Sequence, residues 1–274
     1  MLKAPYSSYQ RLYTYHLEGL QQPFINDPDL IGIWPEGNTT ILFFHRPKER
    51  LVRELCERSD ASLVYQADLD YADWEAGGLP HLFVEQGMTI APIWERKKAD
   101  LYLDPSVVFG SGFHPSTRLC LGQLLETLKV RGSAIQSLLD LGCGSGLLSL
   151  AAAVKGVGRV TAVDNNQLAC EVCQANAERN GIIDRLSILN IDLFSDFPNS
   201  SADLIIANLH PELLDHLMGQ TFFWKSSEYI LSGFMPSQEE MLLSLIPDHG
   251  FSFSTRKRKD KWCLWHLVRC SSVT

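Results

Sequence analysis

The chain has no stretch of apolar residues able to cross a bilayer: the longest, Leu147 to Val154, falls far short of the ~20 residues a spanning helix needs. It has no excess of positive charge either. Its 24 Lys and Arg against 32 Asp and Glu leave a net charge of −8, which opposes a phosphate backbone unless a local basic patch offsets it. The one dense basic run, Arg256-Lys-Arg-Lys-Asp-Lys261, reads as a solvated turn between two strands, so no direct nucleic-acid binding is expected. The seven cysteines, at 56, 120, 143, 170, 173, 263 and 270, are odd in number and scattered. They do not resemble a disulfide framework, and a reducing cytoplasm is the expected location. Cys170 and Cys173 form a C-x-x-C with no second pair or histidine pair beside it, so no metal site is expected. Met1 to Leu20 mixes tyrosines with charges and has no apolar core, so no secretory leader is expected. Internal repeats and low-complexity segments are missing as well. What remains, 274 residues with 45% hydrophobic and 20% charged side chains, is ordinary for a globular protein of one large domain plus a small one.

Two phosphate-binding signatures are also missing, and their absence sharpens what is present. Ser137-Leu-Leu-Asp-Leu-Gly-Cys-Gly-Ser-Gly-Leu-Leu-Ser-Leu150 reads as a strand, a glycine loop and a helix. No lysine follows the loop, which excludes a P-loop, and Leu147 stands where the dinucleotide fingerprint needs its last glycine. Gly142, Gly144 and Gly146 instead alternate, with the acidic Asp140 at the strand end. Asp164 closes the next apolar run, Arg159-Val-Thr-Ala-Val-Asp164, at the spacing of a ribose-binding carboxylate. A carboxylate at Asp140 would repel a pyrophosphate and could face a cation. The combination suits S-adenosylmethionine, which carries a sulfonium and an ammonium and no phosphate. The bland alternative, a tight turn followed by a helix cap, does not account for the carboxylate spacing.

From Ser137 onward strand and helix alternate with short loops, as a doubly wound parallel sheet requires. Strands are predicted at 136–141, 159–164, 186–191, 203–208 and 228–233, and helices at 146–155, 167–180 and 211–222. A further helix is predicted from Ser237 to His249, with Ser237 as N-cap, Glu240 completing a capping box and Gly250 past its end. The tail, Phe251 to Thr255 and Trp262 to Val268, alternates like two paired strands. Residues 1–75 differ. They predict a small α+β domain with a strand at Arg11 to Leu17, a hairpin over Leu30 to Phe44 turning at Glu36-Gly37-Asn38, a helix from Lys48 to Arg58 and an extended Ala61 to Gln66. The boundary is expected between Asp73 and Pro80, where Gly77 and Gly78 cluster. Residues 76–274 form the second domain, led in by a linker over 76–105.

The segment Leu103-Asp-Pro-Ser-Val-Val-Phe-Gly-Ser-Gly-Phe-His-Pro-Ser-Thr-Arg-Leu-Cys-Leu121 is a second signature. With Asp73-Trp74, Ala91-Pro-Ile-Trp94, Asp140 to Gly146 and Ala207-Asn208, it resembles the PrmA family, the methyltransferases that modify ribosomal protein L11. The resemblance covers roughly residues 70–274. It implies a Rossmann-like α/β fold, a mostly parallel sheet with a terminal antiparallel hairpin strand. It also implies S-adenosylmethionine as cofactor and N-methylation of a lysine or protein α-amino group, with ribosomal protein L11 as candidate partner. By motif, the family's cofactor contacts map onto Thr117, Gly142, Asp164 and Asn208. Phe109, Gly110 and Gly112 would lay backbone against the methionine end, and Gly144 and Gly146 would complete the loop; from its place at the end of the third strand, and not from the resemblance, Asp192 is expected to reach the adenine amine. Asn208 would steer the acceptor's lone pair, and His210 would take up its proton.

Locally, Thr117 reads equally well as a helix cap and Asp192 as a turn former. The chain departs from the family at Asn208-Leu-His-Pro-Glu-Leu-Leu214, where an apolar Ile-Leu-Ala usually follows the asparagine. It also departs at Leu20 to Asn26, too short and proline-broken for the first helix of a ferredoxin-like module. A methyltransferase for another protein, RNA or a small molecule, and a silent cofactor-binding module, therefore stay open as alternatives.

Overall fold

The computed structural model describes residues 11–20, 23, 25, 27, 29–36, 38–44, 46–70, 81–199, 202–247 and 250–270. The expected turn residue Gly37, the boundary at Asp73 to Pro80, the Asp73-Trp74 motif and His249 lie outside them. Strands β1 (Arg11–Glu18), β2 (Leu30–Glu36), β3 (Thr39–Phe44) and β4 (Ser62–Asp70) form an antiparallel sheet in the order β2-β3-β1-β4, with helix α1 (Glu49–Ser59) before β4. This is the strand order of a ferredoxin-like β-α-β-β-α-β module, and no helix occurs among the described residues between β1 and β2. Ahead of β2, Asp27 and Asp29 each hold the Lys48 Nζ at 2.8 Å. The Tyr15 hydroxyl accepts from the Lys48 backbone N–H at 2.8 Å and so fixes the start of α1. Val52 of α1, with Leu51 and Leu55, packs on Tyr15, Leu17, Leu42 and Phe44.

Short strands β5 (Phe83–Glu85), β6 (Met88–Pro92) and β7 (Leu101–Leu103) form a second sheet. They fall in the segment expected as a linker, yet Phe83, Met88, Ile90, Leu101 and Leu103 share a core with Leu121 and Leu124 of helix α2 (Pro115–Arg131). Arg118 of α2 stacks on Phe83 at 3.8 Å and pairs with Glu85 at 3.2 Å, anchoring this sheet to the helix start.

The large sheet contains β8 (Ser137–Leu141), β9 (Arg159–Asp164), β10 (Leu186–Asn190), β11 (Leu204–Asn208), β12 (Glu228–Phe234), β13 (Phe251–Lys259) and β14 (Trp262–Arg269), in the order β10-β9-β8-β11-β12-β14-β13. The pairs among β8 to β12 are parallel, and β14 inserts antiparallel between β12 and β13. Helices α3 (Leu147–Val154), α4 (Gln167–Arg179), α5 (Pro211–Met218) and α6 (Glu239–Leu243) follow β8, β9, β11 and β12. Alternate strand residues feed separate cores, as the two-residue period demands. Leu138, Ile206, Ile230 and Leu264 lie with α2 and α3, while Leu139, Ile205, Tyr229 and Trp265 lie with α5 and α6. Chain order reverses between β9, β8 and β11, which opens a crevice at the carboxyl ends of these strands.

Three local expectations are corrected. The helix from Pro211 stops at Met218, not Phe222: Gly219 N–H caps the Asp215 carbonyl at 3.1 Å, and the Trp224 indole N–H occupies the Met218 carbonyl at 2.7 Å. The helix expected from Ser237 is the short α6, preceded by a 3-10 turn over Pro236–Gln238. Its entrance is closed by Gln238, whose Oε1 accepts from Met235 N–H at 2.8 Å, rather than by a Ser237–Glu240 box; Pro236 sets the first helical φ ahead of Ser237. The basic run is strand, not turn, through Lys259. Arg256 and Arg258 both pair with the buried Glu239, which also accepts from Trp265 Nε1 at 3.0 Å, and Lys257 reaches Glu126 at 2.7 Å. Among the described residues no helix is long and apolar enough to cross a membrane.

Candidate functional site

The glycine loop after β8 is held from three sides. Gly142, Gly144 and Gly146 all have positive φ, at 75°, 52° and 83°, a region that L side chains rarely adopt. Gly142 and Cys143 N–H donate to the Val163 carbonyl at 2.8 and 2.9 Å, and Gly144 N–H donates to Asp164 Oδ2 at 2.9 Å. Ser145 ties the loop to the Phe109 turn, its N–H donating to Phe109 O at 2.9 Å and its hydroxyl to Gly110 O at 2.7 Å. A Cβ on Gly144 would collide with that Phe109 carbonyl. From behind, the fully buried Asn176 of α4 accepts from Asp104 N–H at 2.8 Å and donates to Asp104 O at 2.8 Å and Ser145 O at 3.0 Å. One turn on, Asn180 makes the same amide ladder with Tyr102. The signature segment and the glycine loop are thus one assembly.

That assembly forms one wall of a cavity of about 410 Å³ at the sheet's carboxyl edge, within the usual ~300–1,000 Å³ of small-molecule sites. Of the residues singled out from sequence, Phe109, Gly142, Gly144, Asp164, Asp192, Asn208 and His210 line it. Gly110, Gly112, Thr117, Asp140 and Gly146 do not, and each has a physical reason. A Cβ on Gly110 would meet Ser145 Oγ at 3.1 Å and one on Gly112 would meet Phe83 at 2.7 Å, so both serve close packing within the protein. Gly146 abuts Cys173 at the start of α3. Thr117 is buried inside α2, whose N-cap is His114, and its hydroxyl accepts from Asn208 Nδ2 at 3.3 Å. It therefore positions Asn208 instead of capping the helix.

Asp140 is fully buried, and its Oδ2 accepts from Ser149 N–H and Oγ–H at 3.1 and 2.7 Å. Burial pushes its carboxyl up to about 7, and Oδ1 lacks a hydrogen-bond partner among the described residues. Burial also raises the Asp164 carboxyl, against the lowering effect of Asn166 and Gly144 N–H. Asp192 follows β10 in a loop, where its Oδ1 accepts from Phe194 N–H at 3.0 Å. It is both a turn former and a cavity residue.

Sequence reasoning missed other wall residues. Asn166 caps α4 by accepting from Leu168 N–H at 2.9 Å, and its buried Nδ2 has no partner among the described residues. Gly233, with φ 96°, lets the Leu209 carbonyl approach, and Leu209 N–H donates to Ser232 O at 3.1 Å. A glycine ending a buried strand was the available signal. Phe109, His114 and Trp262 form a continuous aromatic rim, with ring centroids 5.1 Å apart between Phe109 and His114 and 4.8 Å between His114 and Trp262. Burial, and then the Lys261 charge, lower the His114 pKa. Only the antiparallel insertion of β14 brings Trp262 here, and no local pattern announces it. No group of His, Cys, Asp and Glu among the described residues is arranged to hold a metal.

The model of the ribosomal protein L11 methyltransferase (PrmA) family matches residues 49–269. The chain belongs to this family. It is 32% identical over 211 residues to the ribosomal protein L11 methyltransferase of Syntrophotalea carbinolica, covering 71% of this chain and 66% of that protein. To the one of Lacticaseibacillus paracasei it is 32% identical over 213 residues, covering 74% and 66%. The chain thus spans just under two thirds of the length of these two PrmA relatives. A solved ribosomal protein L11 methylase from Lactobacillus delbrueckii subsp. bulgaricus superposes with a TM-score of 0.60 at 25% identity, covering 69% of this chain and 98% of that one. In this PrmA member Gly142, Gly144, Asp164, Asn208 and His210 all line the one cavity.

Proposed function

We propose that this chain is a cytoplasmic S-adenosylmethionine-dependent N-methyltransferase that acts on a lysine or α-amino group of a protein, with ribosomal protein L11 as its acceptor. The observation that carries the reading is that Asn208 lines one cavity together with the carboxylates Asp164 and Asp192 and the aromatic residues Phe109, His114 and Trp262. The residues suit the cofactor. Asp164 has lone pairs left for ribose hydroxyls after its two backbone bonds, Asn166 Nδ2 offers an unused donor, and Asp192 beside Phe194 can take an adenine amine. When bound, the cofactor supplies an electrophilic sulfonium methyl.

The protein's part is to present a free lone pair in line with that methyl. Asn208 Nδ2 donates to Thr117 Oγ1, which leaves Oδ1 as the acceptor for an amine N–H. Phe109, His114 and Trp262 exclude water from the acceptor, and desolvation favours its neutral amine. His114, held below its ordinary pKa, adds no competing charge there at neutral pH. An acceptor ammonium gives up one proton before each transfer. His210, on the cavity rim with Nδ1 2.9 Å from Glu212, accepts it and exchanges it with solvent.

Incubation with labelled S-adenosylmethionine and total ribosomal proteins tests the reading, with label expected on L11. Transfer to RNA or a metabolite with no protein labelled would overturn it. Tight cofactor binding without any transfer would reduce the chain to a binding module.

A further inference from the structure

Because β14 runs antiparallel to β12, its first residue lies at the edge of the sheet where the parallel strands end. The β13–β14 turn, with Asp260 at φ 53°, is therefore delivered to the cavity mouth. Cys263 pairs with Phe234, next to the wall residue Gly233, and Trp262 lines the cavity itself. Lys261, immediately before it, is exposed, and its Nζ sits 5.7 Å from the Trp262 ring centroid. That is within the ~6 Å reach of a cation–π contact. The same ammonium acts electrostatically on His114, the middle ring of the rim. The rim that would receive an acceptor amine thus already has one of the chain's own amines against it, on a tight turn and a flexible stem.

We propose that Lys261 is a methylation site of this chain, modified in cis at its own cavity. This rests on the reading of the chain as a protein N-methyltransferase. The Lys261 ammonium loses a proton to solvent. The Nζ lone pair then forms a bond to the sulfonium methyl carbon as the carbon–sulfur bond breaks, leaving S-adenosylhomocysteine and methyl-Lys261. The turn supplies proximity, since an intramolecular amine needs no encounter step. The methylated ammonium keeps its charge and gains apolar surface, so it remains suited to the Trp262 face. Lys259 lies across the same turn, opposite Trp262 in the β13–β14 register. It has no ring contact among the described residues, which makes Lys261 the target.

The test incubates the purified full chain with S-adenosylmethionine bearing a deuterated methyl group, alone and with ribosomal protein L11. Peptide mass mapping then locates the label. The expected result is methyl-mass increments on Lys261, to an extent per chain that does not change on dilution. They are lost in Lys261→Arg, which keeps a cation but not an amine nucleophile, while that variant still labels L11. Label on L11 with none on Lys261, or label on Lys259 instead, overturns the proposal and leaves the proposed function standing. Labelling of Lys261 that falls in proportion to dilution overturns the cis route. No label on either protein overturns both readings together.

Discussion

Replacing Asn176 tests whether the glycine loop and the Phe109 turn act as one piece. Its side chain is fully buried and makes two bonds to Asp104 and one to Ser145. Asn176→Ala would remove three buried hydrogen bonds, at ~1–3 kcal/mol for each group left buried. The three share one site and do not add fully, so a loss of about 3–5 kcal/mol is expected. That is a large part of a typical ~5–15 kcal/mol fold, so the informative variant is Asn176→Asp, which keeps the acceptor for Asp104 N–H and loses both donors. Urea unfolding should show about 2–4 kcal/mol lost. Calorimetric titration should show S-adenosylmethionine binding weakened at least about tenfold, ~1.4 kcal/mol, because Ser145 is no longer held from behind. Asn180→Ala is the comparison, since its ladder bonds reach Tyr102 and not the glycine loop. It should cost stability while leaving cofactor affinity within about threefold, under ~0.7 kcal/mol. Equal loss of affinity in both variants, or none in Asn176→Asp, would refute the coupling.

Three further outcomes follow from the site. Asp164→Asn removes the charge that a ribose hydroxyl would meet, and cofactor affinity should fall by about 1.5–3 kcal/mol by titration; an unchanged affinity would mean the ribose lies elsewhere. Trp262→Ala should raise KM for the protein acceptor about tenfold or more while cofactor affinity holds, and the reverse split would place Trp262 on the cofactor side. Asp140 titrates near 7 in the folded chain against an ordinary value of 3.8. The folded state therefore holds a proton that the unfolded chain has lost, and stability from this group declines as pH rises through that window. Asp140→Asn should flatten the decline in urea midpoints measured over that range, though not abolish it, because the Asp164 carboxyl is raised too. A slope unchanged by the substitution would show that Asp140 is not the titrating group.

The repeating strands of the large sheet were readable because β9 and β11 are short apolar runs ended by a polar residue that lines the cavity, Asp164 and Asn208, and β8 is an apolar run that leads straight into the glycine loop. The carboxylate and glycine loop were readable for the same reason: both depend on spacing within one strand-loop-helix unit. What escaped depends on chain segments distant in sequence. Gly110 and Gly112 look like ligand-facing glycines, and only the approach of Ser145 and Phe83 shows what their missing side chains accommodate. The charges of Arg256 and Arg258 looked solvated because Glu239, their partner, sits in another element. Thr117 looked like a cap because the bond that defines it comes from Asn208, on a strand far downstream. In the N-terminal domain the Asp27–Lys48–Asp29 staple was not legible, because Lys48 belongs to a later element than its two partners.

The antiparallel insertion of β14 also imposes an order of completion. During synthesis the glycine loop, Asp164 and Asn208 emerge well before Trp262, and β13 has no neighbour in the sheet until β14 arrives between it and β12. A nascent chain can therefore fold its small N-terminal sheet and pair its first five parallel strands while the aromatic rim is still open. On the proposed reading, the acceptor side is completed by β14, which follows every other described strand, so a product ending before it would keep the glycine loop, Asp164 and Asn208 and lack Trp262 of the rim.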